Sequence, residues 1–172
     1  MRIDAASPSR LLAGHVEPAW IDYNGHMTES RYLAVFSEAS DVLVARFGAG
    51  PDYAAGGCSL FTAETHLIHR HELRLGAAFR VVGRVLGADA KRVHIWQELL
   101  RDSDGASAAT CEQMLLHVAV AEGRVRPMPG AMQARLAALL AADTALPCPA
   151  AAGRAILRLP GAKLPGAKLP GA

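Results

Sequence analysis

Residues 60–120 contain four successive stretches in which apolar and polar side chains alternate. Such a period of two is typical of half-buried β-strands. The stretches cover residues 60–73, 79–86, 92–100 and 109–120, and L-G-A, G-A-D-A-K and D-S-D-G separate them. Connections this short join antiparallel neighbours, because a parallel pair needs a crossover of about a dozen residues or more. The chain therefore has to form an antiparallel sheet.

One long helix precedes these strands. Its apolar side chains recur at the spacing of a helix face, at Tyr32, Phe36, Ala39, Leu43 and Phe47. Thr28 is a suitable N-cap, and the glycines and the proline within residues 48–51 end the helix. A strand over residues 11–21, interrupted by Pro18, comes before this helix, and an alanine-rich helix over residues 132–140 follows the sheet.

The order strand, long helix, four strands, helix predicts an α+β fold. We expect a five-stranded antiparallel sheet wrapped around the long central helix. The alternative is a plain α+β domain with the helix packed on one face of the sheet. Residues 1–145 are assigned to one domain and residues 146–172 to a flexible tail. That tail ends in an L-P-G-A-K repeat, and Pro and Gly at this density prevent a helix or a central strand.

The charge and the hydropathy of the chain exclude several classes of partner. The net charge is +2, which is too small to indicate nucleic acid, and no run approaches the roughly 18 apolar residues of a membrane span. The first ten residues lack the apolar region of a secretory signal, so we expect a cytoplasmic protein. The three cysteines are widely separated, which predicts small buried side chains and no disulfide framework.

The stretch W-I-D-Y-N-G-H-M-T-E, residues 20–29, places an acid, a glycine and a helix start close together. Asp22 has two interpretations. It caps the turn, as Asp commonly does, or it takes part in chemistry beside the backbone N–H groups that a helix N-terminus leaves unpaired. Gly25 permits a close approach of the backbone to a substrate.

The stretch D-Y-N-G-H-M-T-E-S-R-Y-L resembles the signature of hotdog-fold acyl-CoA thioesterases of the 4-hydroxybenzoyl-CoA thioesterase type. Together with E-T-H-L-I-H, K-R-V-H and E-Q-M-L-L-H-V, it is similar to the thioesterase part of bifunctional L-carnitine dehydrogenase/betainyl-CoA thioesterase proteins. We expect no dehydrogenase domain here, since 172 residues leave no room for one and G-x-G-x-x-G is absent. Thr28 and Glu29 stand where many family members have two asparagines.

The resemblance implies a hotdog fold and the hydrolysis of a small acyl-CoA, with betainyl-CoA as the expected substrate. It implies that Asp22 attacks the thioester or activates water. Backbone N–H groups around Gly25, His26 and Met27 are then expected to stabilise the developing oxyanion. His26 alternatively positions the substrate or packs against the first strand. A thioesterase for another short or aromatic acyl group, and a non-catalytic acyl-CoA-binding protein, remain open.

A betainyl group carries a fixed trimethylammonium, which aromatic rings and carboxylates recognise. Trp20, Tyr23 and Trp96 are therefore candidate substrate-binding residues, and Trp96 is alternatively part of the core. Asn24 is a candidate hydrogen-bond donor or an ordinary turn residue. Glu64 is a candidate second carboxylate, which we expect to share a strand face with Thr62 and His66; the alternative is a solvated or interface face.

Basic residues near strand turns are candidates for binding the phosphates of CoA, although solvated surface charge is the alternative. They are Arg70, Lys91 and Arg92. His66 is expected to face away from His69 and His71, which disfavours a zinc site, so neither a metal nor another cofactor is expected. Pairing of subunits edge to edge would cover the exposed sheet edge, and we expect a homodimer or a homotetramer.

Overall fold

The computed structural model describes residues 8–154 and residue 156 of the chain. The elements follow in the order β1 (Ser9–His15), a 3₁₀ turn (Pro18–Trp20), α1 (Glu29–Arg46), α2 (Pro51–Ala55), β2 (Cys58–His69), β3 (Ala78–Ala88), β4 (Arg92–Arg101), β5 (Ser107–Ala119), β6 (Arg124–Val125) and α3 (Gly130–Asp143). This order confirms the α+β prediction. Periodicity did not predict α2 and β6, because five and two residues are too few to show a period.

The strands form one antiparallel sheet with the order β1-β3-β4-β5-β2, and the two-residue β6 pairs with β5. The predicted five strands are therefore present, with β6 as a short addition. Among the described strands, the edge strand β2 pairs over its length with β5 alone. An edge of twelve residues leaves many backbone N–H and C=O groups without a strand partner.

The core lies between α1 and the inner face of the sheet, the face that carries Val81, Ile95, Leu99, Cys111 and Leu115. Four side chains form the helix side of this core and are at most 2% exposed: Phe36, Ala39 and Leu43 of α1, and Phe47, which follows the helix. Burying a large apolar side chain contributes about 1.5–3 kcal/mol. The predicted apolar stripe therefore marks the helix face that holds the sheet.

A polar cluster lies at the centre of this helix–sheet contact. Ser40 Oγ donates to Gln113 Oε1 at 2.8 Å, and Gln97 Nε2 donates to Ser40 Oγ at 2.7 Å. All three side chains are buried. Since a buried polar group is costly without its partner, these bonds favour one position of α1 along the sheet.

A β-bulge interrupts β2. Thr62 pairs with Leu115, whereas Glu64 pairs with Met114, so Ala63 is the extra residue. Residues directly opposite each other share a face, and neighbouring residues of β5 face opposite sides. Thr62 therefore lies on the inner face and Glu64 on the outer face. The predicted common face for these two residues is wrong, because the bulge breaks the alternation.

A segment that we call the strap, residues 147–153, crosses the outer face of the sheet. The Gly153 N–H donates to both carboxylate oxygens of Glu112 at 2.9 Å, and Arg84 donates to the Pro147 carbonyl. Ala151 is buried. The first residues of the predicted tail thus pack against the domain. The L-P-G-A-K repeat lies outside the described residues, and the flexibility predicted for it stays a prediction.

The three cysteines differ in exposure: Cys111 is buried, Cys58 is intermediate and Cys148 is exposed. The expectation of three buried thiols is correct for Cys111, which faces the core. Cys148 lies in the strap and is exposed, so the expectation is wrong for this residue.

Candidate active site

The loop between the 3₁₀ turn and α1 is a tight reversal. Ile21 and Met27 form an isolated antiparallel bridge, the Asp22 N–H donates to the His26 carbonyl at 3.1 Å, and the Gly25 N–H donates to the Asp22 carbonyl at 3.0 Å. Gly25 has φ +80°, a conformation that costs other residues strain. The glycine is therefore required to return the chain toward α1.

This loop and the segment that follows β2 enclose a cavity of about 580 Å³. We call it the Asp22 cavity. Its walls are Asp22, Tyr23, Asn24, His26, Met27, Thr28, Glu29, Tyr32, His69, Arg70, His71 and Glu72. A cleft of this size falls in the range of small-molecule sites.

The Asp22 carboxylate is held by its own turn. Its Oδ1 accepts the Asn24 N–H at 2.8 Å, and its Oδ2 accepts from Asn24 Nδ2 at 3.3 Å. Because a carboxylate has about four acceptor positions, these two bonds leave capacity for a water or a substrate. The turn-capping interpretation of Asp22 is thus realised, and the carboxylate also lines the cavity.

The backbone amides of this loop differ in their availability. The Gly25 N–H is used within the turn, and the Met27 N–H donates to the Leu73 carbonyl at 2.7 Å. The expectation that both face a substrate is corrected, because each already has a carbonyl partner. The His26 N–H has no partner among residues 8–154 and 156. Helix α1 itself begins at Glu29, with Thr28 at the N-cap position but without a side-chain capping bond.

Tyr32 links the two walls of the cavity. Its hydroxyl accepts the Leu73 N–H at 3.1 Å, and its ring meets the His69 ring edge-on with centroids 4.9 Å apart. Burial raises the pKa of Tyr32, so the phenol is neutral near pH 7. The sequence analysis placed Tyr32 in the apolar stripe of α1, and its hydroxyl gave no separate signal.

Three carboxylates line the Asp22 cavity: Asp22, Glu29 and Glu72. The hydrogen bond and the charge of Arg74 lower the pKa of Glu72, so this carboxylate is ionised at neutral pH. Glu72 was not predicted as a site residue, because the predicted strand extended to residue 73, whereas β2 ends at His69 and Glu72 lies in the irregular segment that follows. Arg70 is the basic residue of the described lining.

His71 and His69 also line the cavity, whereas His66 lines a different cavity on the outer face. Their separation agrees with the spacing argument against zinc. The His71 Nδ1 lies 2.8 Å from the Ser107 carbonyl, which fixes that nitrogen as the donor. Within the described part of the chain, no cluster of three or more metal-ligating side chains occurs.

Some predicted substrate-binding residues lie elsewhere. Glu64 and Trp96 are on the outer face, where each lines another cavity, so within one chain the sheet separates them from Asp22. Trp20 packs against Phe79 with ring centroids 6.2 Å apart, and the Arg31 guanidinium lies 5.9 Å from its ring centre. Trp20 therefore supports the loop from behind and does not line the cavity.

The predicted CoA-binding residues also lie at two distant places in the structure. Arg70 lines the Asp22 cavity, whereas Arg92 pairs with Leu116 at the other end of β5. His69, at the cavity, pairs with Ala109, so about 24 Å of strand lies between the two positions. Lys91 precedes Arg92 at that far end. Lys91 and Arg92 cannot reach the Asp22 cavity of their own chain.

A curled antiparallel sheet packed on one long helix, with a carboxylate beside the start of that helix, defines the hotdog-fold thioesterase class. The chain belongs to the thioesterase-like superfamily, whose family model matches residues 16–136. The resemblance found in the sequence is thereby confirmed. In the described residues, no helix combines the length and apolar character required to cross a bilayer.

Named relatives agree with this family. The betainyl-CoA thioesterase of Pseudomonas aeruginosa is 45% identical over 142 residues, which cover 82% of this chain and 89% of that protein. The L-carnitine dehydrogenase/betainyl-CoA thioesterase of Agrobacterium fabrum is 43% identical over 155 residues, which cover 90% of this chain and 32% of that protein. The chain thus spans about a third of the bifunctional relatives it matches.

Two solved structures share the fold over nearly their whole length. A hypothetical Staphylococcus aureus protein in complex with CoA has a TM-score of 0.81 and 25% identity, and the match covers 88% of this chain and 97% of that one. A candidate thioesterase of Pseudomonas putida has a TM-score of 0.76 and 32% identity, with 89% and 98% covered.

Proposed function

We propose that the protein hydrolyses betainyl-CoA to glycine betaine and CoA. The observation that carries this proposal is the Asp22 cavity, in which an oriented carboxylate, an available amide and two further carboxylates surround a space of substrate size. The name of the Pseudomonas aeruginosa relative, which is covered over most of its length, supports the choice of acyl group.

Asp22 acts on the thioester carbonyl, either as the nucleophile or as the base that activates water. The Asn24 bonds hold the carboxylate in place, so little ordering is needed when the substrate enters. The His26 N–H donates to the carbonyl oxygen as negative charge develops on it. The loss of one such donor typically costs roughly 3–4 kcal/mol of barrier stabilisation.

Glu29 and Glu72 attract the trimethylammonium of the acyl group, and the exposed ring of Tyr23 offers it an aromatic face. Glu29 stands where many family members have an asparagine, so it adds a negative charge in the first turn of α1. This charge favours a cationic acyl group over a neutral one of the same shape. Arg70 contacts a phosphate of CoA.

The protein acts as a homodimer or homotetramer in which β2 pairs with β2 of a second subunit. The unpaired edge of β2 and the exposed ring of Phe61 support this assembly, since both would otherwise face water. The cytoplasmic location stays a prediction from the sequence.

Thiol release from a panel of acyl-CoAs tests the activity. Betainyl-CoA is compared with acetyl-CoA, 4-hydroxybenzoyl-CoA and a medium-chain acyl-CoA, and each kcat/KM is measured. We expect betainyl-CoA to exceed the others by at least about a hundredfold, or about 2.7 kcal/mol. A preference for another acyl group would replace the substrate, and binding without release from any of them would favour a non-catalytic acyl-CoA-binding role.

The Asp22→Asn variant tests the mechanism in the same assay. The amide oxygen still accepts the Asn24 N–H, so the turn should persist and far-UV circular dichroism should be unchanged. We expect kcat to fall at least about a hundredfold, as for other residues that act on the reacting atoms. A variant with the rate of the unmodified protein would remove Asp22 from the chemistry.

A further inference from the structure

A second polar cavity lies under the strap, on the outer face of the sheet. Its volume is about 250 Å³. Two neighbouring rows of side chains form its floor, since Arg84 is directly opposite Trp96 and Glu98 is directly opposite Thr110. Residues 149–151 of the strap form its roof. We call it the strap cavity.

Arg84 carries a positive charge that forms no ion pair with a carboxylate of the described residues. The residue is 5% exposed, and no carboxylate oxygen of the described chain lies within 4.0 Å of its guanidinium. One nitrogen donates to the Pro147 carbonyl, and Nε has no partner. Asp143 attracts Arg84, but its Oδ2 accepts the Val85 N–H. A buried guanidinium whose attracting carboxylate lies beyond ion-pair distance keeps part of its desolvation cost, and a bound anion would offset that part.

Thr110 adds an unused hydroxyl to the same cavity. It is 2% exposed, and its Oγ1 lacks a hydrogen-bond partner among the described residues. Leaving such a group unpaired typically costs about 1–3 kcal/mol. A carboxylate that reached both Arg84 and Thr110 would satisfy the two side chains together.

The other side chains of the strap cavity suit a cation. Trp96 presents an aromatic ring, and Glu98 is partly exposed with no cation of the described chain in ion-pair distance. Aromatic faces and carboxylates are the groups that recognise ammonium ions. Glu98 lines the cavity and Glu112 lies beside Trp96, so two carboxylates repel a doubly charged anion such as phosphate.

We propose that the strap cavity binds a small zwitterion that carries a carboxylate and a quaternary or protonated amine. The carboxylate is held by Arg84 and Thr110, and the ammonium lies between Trp96 and Glu98. Arg70 lines both this cavity and the Asp22 cavity, so one residue borders the two sites. The ligand class follows from the side chains, whereas the use of glycine betaine as the probe rests on the proposed function.

Tryptophan fluorescence tests the proposal. The chain has two tryptophans, so Trp20→Phe leaves Trp96 as the reporter of the strap cavity. Glycine betaine, acetate, tetramethylammonium and inorganic phosphate are titrated into this protein without any acyl-CoA. We expect a saturable change with glycine betaine at a concentration at least tenfold below that needed with the other three probes.

Variants in the Trp20→Phe background locate the ligand. Thr110→Val and Glu98→Gln should each weaken glycine betaine binding at least fivefold, because each removes one end of the site. Glu64→Gln, on the same face but in a neighbouring cavity, is the matched control and should leave binding unchanged. Arg84→Gln should abolish binding, and the two milder variants decide the matter where it fails to fold.

Three results would overturn the proposal: no saturable change, an affinity in the Thr110→Val and Glu98→Gln variants equal to that of the Trp20→Phe parent, or tighter binding of phosphate than of glycine betaine. The titration contains no thioester. Its outcome is therefore independent of whether betainyl-CoA is the substrate that the protein hydrolyses.

Discussion

The carboxylate at position 22 is held by its own chain before any substrate arrives. Both of its hydrogen bonds come from Asn24, and both depend on the reversal that Gly25 completes. The capping role of Asp22 is thus compatible with its proposed chemical role, because the turn orients the carboxylate. We therefore expect turn residues in this segment to influence catalysis without contacting the substrate.

Replacement of Gly25 by alanine tests whether backbone strain, rather than a lack of space for a side chain, requires glycine at this position. A Cβ at Gly25 meets nothing within 4 Å, but φ is +80°. We expect Gly25→Ala to lower the free energy of unfolding by about 1–2 kcal/mol, and kcat to fall as the Asp22 turn shifts. Gly130 also has free space but begins α3 without a positive φ, so Gly130→Ala should stabilise by about 0.4–1 kcal/mol. Urea unfolding measures both, and equal effects would contradict the strain argument.

We expect the Glu29 carboxylate to recognise the positive charge of the acyl group and not its shape. The neutral analogue 3,3-dimethylbutyryl-CoA has the shape of betainyl-CoA without its positive charge. We expect Glu29→Gln to lower kcat/KM for betainyl-CoA by about five- to tenfold, within the range of one cation contact, and to leave the neutral analogue within twofold. Glu38→Gln, on the exposed surface of the same helix, is the control. A parallel loss for both substrates would show that Glu29 does not read the charge.

Of the helices and strands, β2 is the one whose neighbours change most from one end to the other. Its residues near Cys58 adjoin α2, its last residue His69 lines the Asp22 cavity, and its outer edge pairs with no strand of the described residues. The same strand therefore contributes to the core, to the candidate active site and to the surface where a second subunit is expected.

The exposed ring of Phe61 should contribute to the association of subunits. Phe61 is 49% exposed on the edge strand, and a lysine there would place a charge in the expected contact. We expect Phe61→Lys to shift the protein toward monomer in sedimentation equilibrium. Val42→Lys on α1, where Val42 is 38% exposed, is the control and should not change the mass. An unchanged mass for both variants would place the contact elsewhere.

At the scale of the whole molecule, the sequence predicted the fold better than the site. Periodicity sufficed for the sheet and for α1, because each element is long and buries one face. It could not place Glu64, since a single extra residue at Ala63 is invisible to a count of alternating residues. It could not find Glu72 or the bond from Leu73 to Tyr32, because both lie in an irregular segment whose path depends on tertiary contacts.

Reactivity of the thiols should report global unfolding. Burial raises the pKa of Cys111 to about 12, so its thiol is neutral and inaccessible at pH 8. In the native protein at that pH, a thiol reagent should label Cys58 and Cys148 rapidly and Cys111 only in urea. Between about pH 9 and pH 12 the unfolded chain loses the Cys111 thiol proton, whereas the native protein keeps it. The free energy of unfolding therefore falls as the pH rises through that range. Rapid labelling of three thiols in native protein would show that the core opens locally.

The bulge at Ala63 also affects how relatives of this chain can be compared. Residues before and after it lie out of phase, so one position of insertion or deletion exchanges the inner and outer faces of half a strand. With a relative that lacks the bulge, an alignment that crosses this point without a gap would equate side chains that face the core with side chains of the outer face. Comparisons of substrate range across the family should therefore treat residues 58–62 and 64–69 as two separate blocks.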